Sequence, residues 1–257
     1  MNKINFEYYQ KIFQMKKRSR LEIDVRNKMS EILLESLDSP VKANIINLIV
    51  KYCKSIEKRG EPDVNIAKIF QDKSEIGFSF SDINEILNDL LFQYFFDVRP
   101  DNSIRLKHRY SGQLLFICRK IKDYLRFIER TIVFQIDFSN GLQGEIRIGG
   151  IMFNESLFFE CHEYLEGVWL REKGVRRDFL KGLIHAAVAF YHLEYENIKG
   201  TVNYLKRSYT RLKPFKPNFL GVDVNRFLED IEFFIKSVDQ SQSVYLQIKI
   251  PKIKIDY

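Results

Sequence analysis

The chain is poor in cysteine and tryptophan, with three of the first and one of the second in 257 residues. Cys53, Cys118 and Cys161 are scattered and show no CxxC spacing. That pattern argues against a disulfide framework and against a zinc ribbon. No apolar run approaches the ~20 residues that span a bilayer. The opening "MNKINFEYYQ" has no apolar h-region, so no signal peptide is expected. The sequence also lacks a nucleophile elbow, a phosphate loop and any nucleotide fingerprint. Internal repeats and low-complexity segments are missing too. These absences lead to the expectation of a cytoplasmic, soluble protein with no membrane partner, and they name no reaction.

What is present is a core and a positive charge. Hydrophobic residues make up 45% of the chain, with 22 Phe and 13 Tyr, so a substantial aromatic core can form. The length suits one large domain or two ordinary ones. The net charge of +7 permits contact with nucleic acid or an anionic surface. Basic residues are densest in "QMKKRSR" (14–20) and "RPDNSIRLKHR" (99–109).

Periodicity predicts a mainly α fold with minor β-hairpins. The first thirty or so residues read as helical. Residues 39–60 read as a helix capped by Ser39, with Pro40 in its first turn and Gly60 at its end. A short helix is expected at 63–70 and a third at 79–96. Two short strands joined at Asp101-Asn102 follow. Three helices and a hairpin over 40–109 are the order of a winged helix. Its recognition position, 81–93, carries Asp82, Glu85 and Asp89 but no Lys or Arg, which is poor for a phosphate-lined groove. The wing is better supplied, with Arg99, Arg105, Lys107 and Arg109 as candidate nucleic-acid contacts. A protein partner is the other reading of this module. Residues 111–136 read as a long helix or a helix then a strand, and Asn140-Gly141 as a hairpin turn. The expected division is a helical module at 1–140, a helical bundle at 150–240, and an extended tail at 241–257 with the character of an edge strand.

The stretch "FFECHEYLEGVW" (158–169) sets a histidine and three carboxylates among aromatic residues. Buried charge is costly unless paired, hydrogen-bonded or bound to metal. His162, Glu166 and Trp169 lie at i, i+4 and i+7, on one helix face. His185 and His192 share a face of the next helix. A tight turn near Gly174 makes the two helices antiparallel neighbours. Ideal straight helices then set Glu166 level with His185, and His162 level with Ala189, between the two histidines. Imidazole and carboxylate together suit a divalent transition metal: Zn, Mn, Fe, Ni or Cu. On this reading His162, Glu166, His185 and His192 are the ligands. Glu160, Glu163 and Arg177 are supporting or acid–base candidates, and Trp169 forms an apolar wall. The run "HEYLE" is neither the HExxH zinc signature nor the Glu-x-x-His di-iron motif. The competing reading is a structural network, His162 to Glu166 to His185, with no metal and a large stability loss for Glu166→Ala.

The segments "FNESLFFECHEYLEGVW", "RRDFLKGLIHAAVAFYHLEYENIKGTVNYLKRS" and "LGVDV" resemble the bacterial and archaeal family catalogued as domain of unknown function 309. The resemblance covers about 150–235. It rests on His162, Glu166 and Trp169, on the run Phe179-Leu180-x-Gly182-Leu183-Ile184, and on Tyr191-His192. Asn197 with Gly200, and Gly221 with Asp223, complete it. It implies a compact all-helical domain and a His/Glu hallmark suggested to bind metal; it implies no activity. Cys161 departs from the small residue expected there. Residues 178–212 also resemble a single tetratricopeptide-like helical hairpin, and one copy makes no repeat array.

Overall fold

The computed structural model describes residues 19–60, 62–66, 80–133, 141–240 and 248–255. The fold is mainly α, and the chain divides into two units. One is Arg18–Ile128; the other contains Glu129–Tyr257. The division falls inside a long helix, earlier than the boundary near 140 expected from the sequence.

In the first unit, α1 (Arg20–Ser36) opens on a reciprocal cap. Ser19 accepts from the Glu22 amide, and the Glu22 carboxylate accepts from the Ser19 amide. Helix α2 (Pro40–Arg59) begins at Ser39 and Pro40 and ends at Gly60, whose φ of 72° closes it in the left-handed region. Strand β1 (Asp63–Asn65) occupies the start of the segment expected to be helical at 63–70; its remainder lies outside the described residues.

The single helix expected at 79–96 is two, α3 (Phe80–Asn88) and α4 (Leu90–Phe95). Asp89 makes the break. Its carboxylate accepts from the Leu91 and Phe92 amides, so it starts a new helix instead of continuing the old one. It is also held by Lys42 at 2.6 Å, with Glu35 on the same ammonium at 2.8 Å.

Strands β2 (Phe96–Val98) and β3 (Ser103–Leu106) form the expected hairpin. Asn102 takes the positive φ of its turn, 57°. The antiparallel sheet runs β1-β3-β2, with Ile104 opposite both Val64 and Val98. A 3-10 turn (His108–Gln113) leads into α5 (Leu114–Val133).

The core of this unit is aromatic. Phe92 and Phe96 stack at 4.9 Å, and Tyr52 meets Phe96 edge-on. The Tyr52 hydroxyl is satisfied twice, accepting from the Leu106 amide and donating to the Pro62 carbonyl. Beside it, Cys53 of α2 and Cys118 of α5 are joined by a disulfide. This single bridge corrects the expectation drawn from the cysteine spacing, which argued against a disulfide framework. Sixty-five residues separate the pair, and only the packing of α2 against α5 brings them together.

In the second unit, α6 (Gly141–Asn154) stands where a hairpin at Asn140-Gly141 was expected. Its glycines explain the departure. A Cβ at Gly149 would come within 2.6 Å of Leu165, so the pair Gly149-Gly150 lets a helix, not a strand, lie close against its neighbours. Helices α7 (Phe158–Arg171), α8 (Gly174–Leu193) and α9 (Ile198–Leu212) follow, then a 3-10 turn (Lys213–Phe215). A small hairpin, β4 (Asn218–Phe219) and β5 (Val222–Asp223), precedes α10 (Val224–Gln240).

Helix α8 lies between α7 and α9 and packs along both. It can do so because its residues are small where α9 crosses. A Cβ at Gly182 would meet Leu212 at 2.6 Å, and the Gly182 carbonyl accepts from the Ser208 hydroxyl. The tail at 248–255 is not a strand of a sheet. It keeps the predicted alternation, with Pro251, Ile253 and Ile255 buried, and touches the hairpin through one bridge, Val222 to Ile255. Residues 241–247 of the tail lie outside the described residues, as does most of the basic run at 14–20.

Candidate functional site

Helix α7 turns His162 and Glu166 to one face, as the spacing predicts. His162 sits between two carboxylates. Its Nδ1 is 3.2 Å from Glu163 and its Nε2 is 3.3 Å from Glu166. An imidazolium donates from both nitrogens, whereas a neutral ring has one donor only. The other oxygen of Glu166 faces Lys181 of α8 at 3.8 Å. Lys181 also stands over the Trp169 ring at 4.4 Å, and Arg177, one turn earlier, lies over the same ring at 3.8 Å. The hallmark His162, Glu166 and Trp169 therefore connects α7 to α8 through two cations. Trp169 is a platform for charge, not the bare apolar wall expected of it.

The set is half-buried rather than sealed. His162 is 24% exposed and Glu166 39%. Exposed and half-exposed ion pairs contribute roughly 0–1 kcal/mol each, so the large loss expected for Glu166→Ala shrinks to about that size.

The two remaining ligand candidates meet α9. His185 meets Tyr204 of α9 edge-on at 5.7 Å, and His192 stacks on the same ring at 5.3 Å. His192 Nδ1 accepts from the Asn197 amide at 3.0 Å. Asn197 in turn caps α9 by accepting from the Gly200 amide, which accounts for the Asn-x-x-Gly spacing. Burial, then the charges of Arg211, Lys181 and Arg207, push His185 down to about 4; burial also lowers His192.

The four expected ligands thus divide into two pairs, one along α7 beside Lys181 and one on α8 against Tyr204 of α9. The reason is register. Helix α8 starts at Gly174, directly after a two-residue link, so Glu166 comes level with Lys181, one turn before His185. Among the described residues, no group of three or more His, Cys, Asp or Glu side chains is placed to hold a metal ion. As arranged, His162 and Glu166 bring together two of the four donors expected for a metal, and Lys181 stands 3.8 Å from the second oxygen of Glu166.

Glu160 is fully buried in the first turn of α7, apart from the half-exposed His162 face. Cys161 is also buried. Its thiol donates to the Gly149 carbonyl at 3.2 Å and so belongs to the contact with α6. Burial raises its pKa, which suits a structural thiol.

The wing cations of the first unit are engaged within the protein. Arg99 and Arg105 both pair with Asp63, at 3.1 and 3.0 Å. Lys107 donates to the Gln93 carbonyl, and Arg109 lies over Tyr110 at 4.6 Å. Sequence reasoning missed Lys181 and Tyr204. A signal existed for Lys181, four residues after Arg177 on one helical stripe; for Tyr204 nothing distinguished it from twelve other tyrosines.

The "Uncharacterized protein YpuF" of Bacillus subtilis (strain 168) is 32% identical over 103 residues, which is 38% of this chain. The chain spans 59% of that relative's length. No solved structure matches. Residues 146–204, which contain α7, α8 and the pairs described above, match the family described as a domain of unknown function, DUF309.

Proposed function

We propose that the protein is a binding protein without a resident metal, in which the hallmark residues lock the α7–α8 hairpin and so hold α8 and α9 as a fixed surface. One observation carries this reading: Glu166, Lys181, Trp169 and Arg177 form a continuous bridge between the two helices. Glu166, the one candidate ligand among them, is turned toward a cation of the neighbouring helix. Nothing in the arrangement pairs a nucleophile with a base and an oxyanion site, as acyl transfer requires.

A double-mutant cycle tests the lock. Trp169→Ala, Lys181→Ala and the double variant are unfolded in urea with Glu166 intact. A cation–π pair at a half-exposed site predicts a coupling of ~0.5–1 kcal/mol. Strict additivity of the two losses would contradict the bridge.

The first unit supports a second element of the reading. Its order of α2, β1, α3–α4 and the β2–β3 hairpin is compatible with a winged helix. Glu85 is exposed on α3, and the wing arginines are paired to Asp63. That charge distribution favours contact with protein over contact with a phosphate backbone through this unit.

A further inference from the structure

Helix α9 has four cations and no acidic residue in fifteen positions. Thr201, Leu205, Ser208 and Leu212 form its buried side. At 100° per residue that leaves Lys199, Lys206, Arg207 and Arg211 on the outward half, and all four are exposed. The exposed Lys213 and Lys216 continue the series just beyond the helix. Among the described residues, Arg211 has an ion pair, to Asp178 at 3.3 Å; Lys199 and Lys206 have none. Lys213 and Lys216 are near Glu232, which Lys236 already pairs at 2.8 Å.

One of these cations is also held in place. Tyr204 carries Arg207 over its ring at 5.2 Å and is itself packed by His192 and His185. Lys199 and Arg211 are twelve residues apart, about 18 Å along the axis. A row of that length exceeds one small anion and matches several successive phosphates. No large hydrophobic side chain is exposed on α9. An anionic membrane needs such side chains for insertion, and a protein partner usually needs an apolar or aromatic anchor. The basic clusters singled out in the sequence are elsewhere: the wing cations are engaged within the first unit.

We propose that the outward face of α9 binds a nucleic-acid backbone, with Lys199, Lys206, Arg207 and Arg211 contacting successive phosphates. This deepens the reading of the second unit as a binding surface. It does not depend on the lock, because substitutions at Trp169 or Lys181 leave the α9 charges in place.

The test uses the full chain and two fluorescein-labelled probes, a mixed-sequence duplex of about 20 base pairs and a dU strand of about 20 nucleotides, read by anisotropy. Four phosphate contacts predict a loss of affinity on the order of 50–150-fold between about 50 and about 200 mM salt. Lys206→Glu with Arg207→Glu is expected to weaken binding at least about tenfold at the lower salt. Arg20→Glu with Lys58→Glu, the same charge change in the other unit, is expected to leave it near wild type. Unfolding midpoints confirm that these surface variants are folded. Failure to bind either probe at low salt would overturn the proposal. So would equal weakening by both variant pairs, which would mean bulk charge alone. Binding to vesicles of phosphatidylcholine and phosphatidylserine but to neither oligonucleotide would assign the face to membrane and overturn it as well.

Discussion

At the scale of single residues, His185 is the most perturbed histidine of the second unit. Its Nδ1 is buried without a hydrogen-bond partner, and its pKa is pushed down to about 4 by burial and then by Arg211, Lys181 and Arg207. The folded state therefore resists protonation that the unfolded chain accepts near 6.5. Between those values the unfolded state binds more protons, so stability rises with pH there. The contribution is complete above about 6.5 and is lost as pH falls toward 4; His192, also lowered, acts in the same direction. Urea unfolding at about pH 5 and pH 7.5 checks this. His185→Gln is expected to shrink the difference between the two, and an unchanged difference would mean that His185 is not its source. The pairing of His162 with Glu166 was legible from i, i+4 spacing. The facing of His185 was not. Helix α8 is buried almost all round, from Phe179 and Leu180 to Ala189 and Phe190, so periodicity does not say which neighbour a polar side chain meets.

At the scale of elements, the close crossing of α8 and α9 organises the second unit. Gly182 sits under Leu212, and Ser208 bonds the Gly182 carbonyl. Alanine is the better helix former by about 1 kcal/mol, yet its Cβ would overlap a fully packed leucine. Overpacking costs typically 1–3 kcal/mol. Gly182→Ala is therefore expected to lower stability by the difference, up to about 2 kcal/mol, measured by chemical denaturation; a gain would show that the helices have room to separate. Local chemistry made α2 readable, since Ser39, Pro40 and Gly60 each mark a boundary by their own conformational preference. It misled at two places. Asn140-Gly141 carries a hairpin signal, but Gly149 and Gly150 must pack against other elements, and that need appears only in three dimensions. Asp89 reads as one more polar residue of an amphipathic helix, whereas in the fold one carboxylate oxygen caps α4 and the other pairs with Lys42 of α2.

At the scale of the whole molecule, two units have separate cores, and their chemistry differs. The first engages its wing cations with Asp63, Gln93 and Tyr110 at its surface and carries the Cys53–Cys118 bridge. That bridge was illegible because contact between residues 65 apart is a property of the fold, not of spacing. The second leaves α9 cations outward and uses Glu166, Trp169, His185 and His192 in contacts with the neighbouring helix. Glu166 and Trp169, with His162 set against Glu166, join α7 to α8 instead of holding an ion. Elemental analysis of the untagged chain tests it most directly, after incubation with Zn, Mn, Fe, Ni and Cu and removal of the excess. Metal well below one equivalent is expected, with the same amount in a folded His162→Ala, Glu166→Ala variant. About one equivalent in the wild type, lost in that variant, would contradict it.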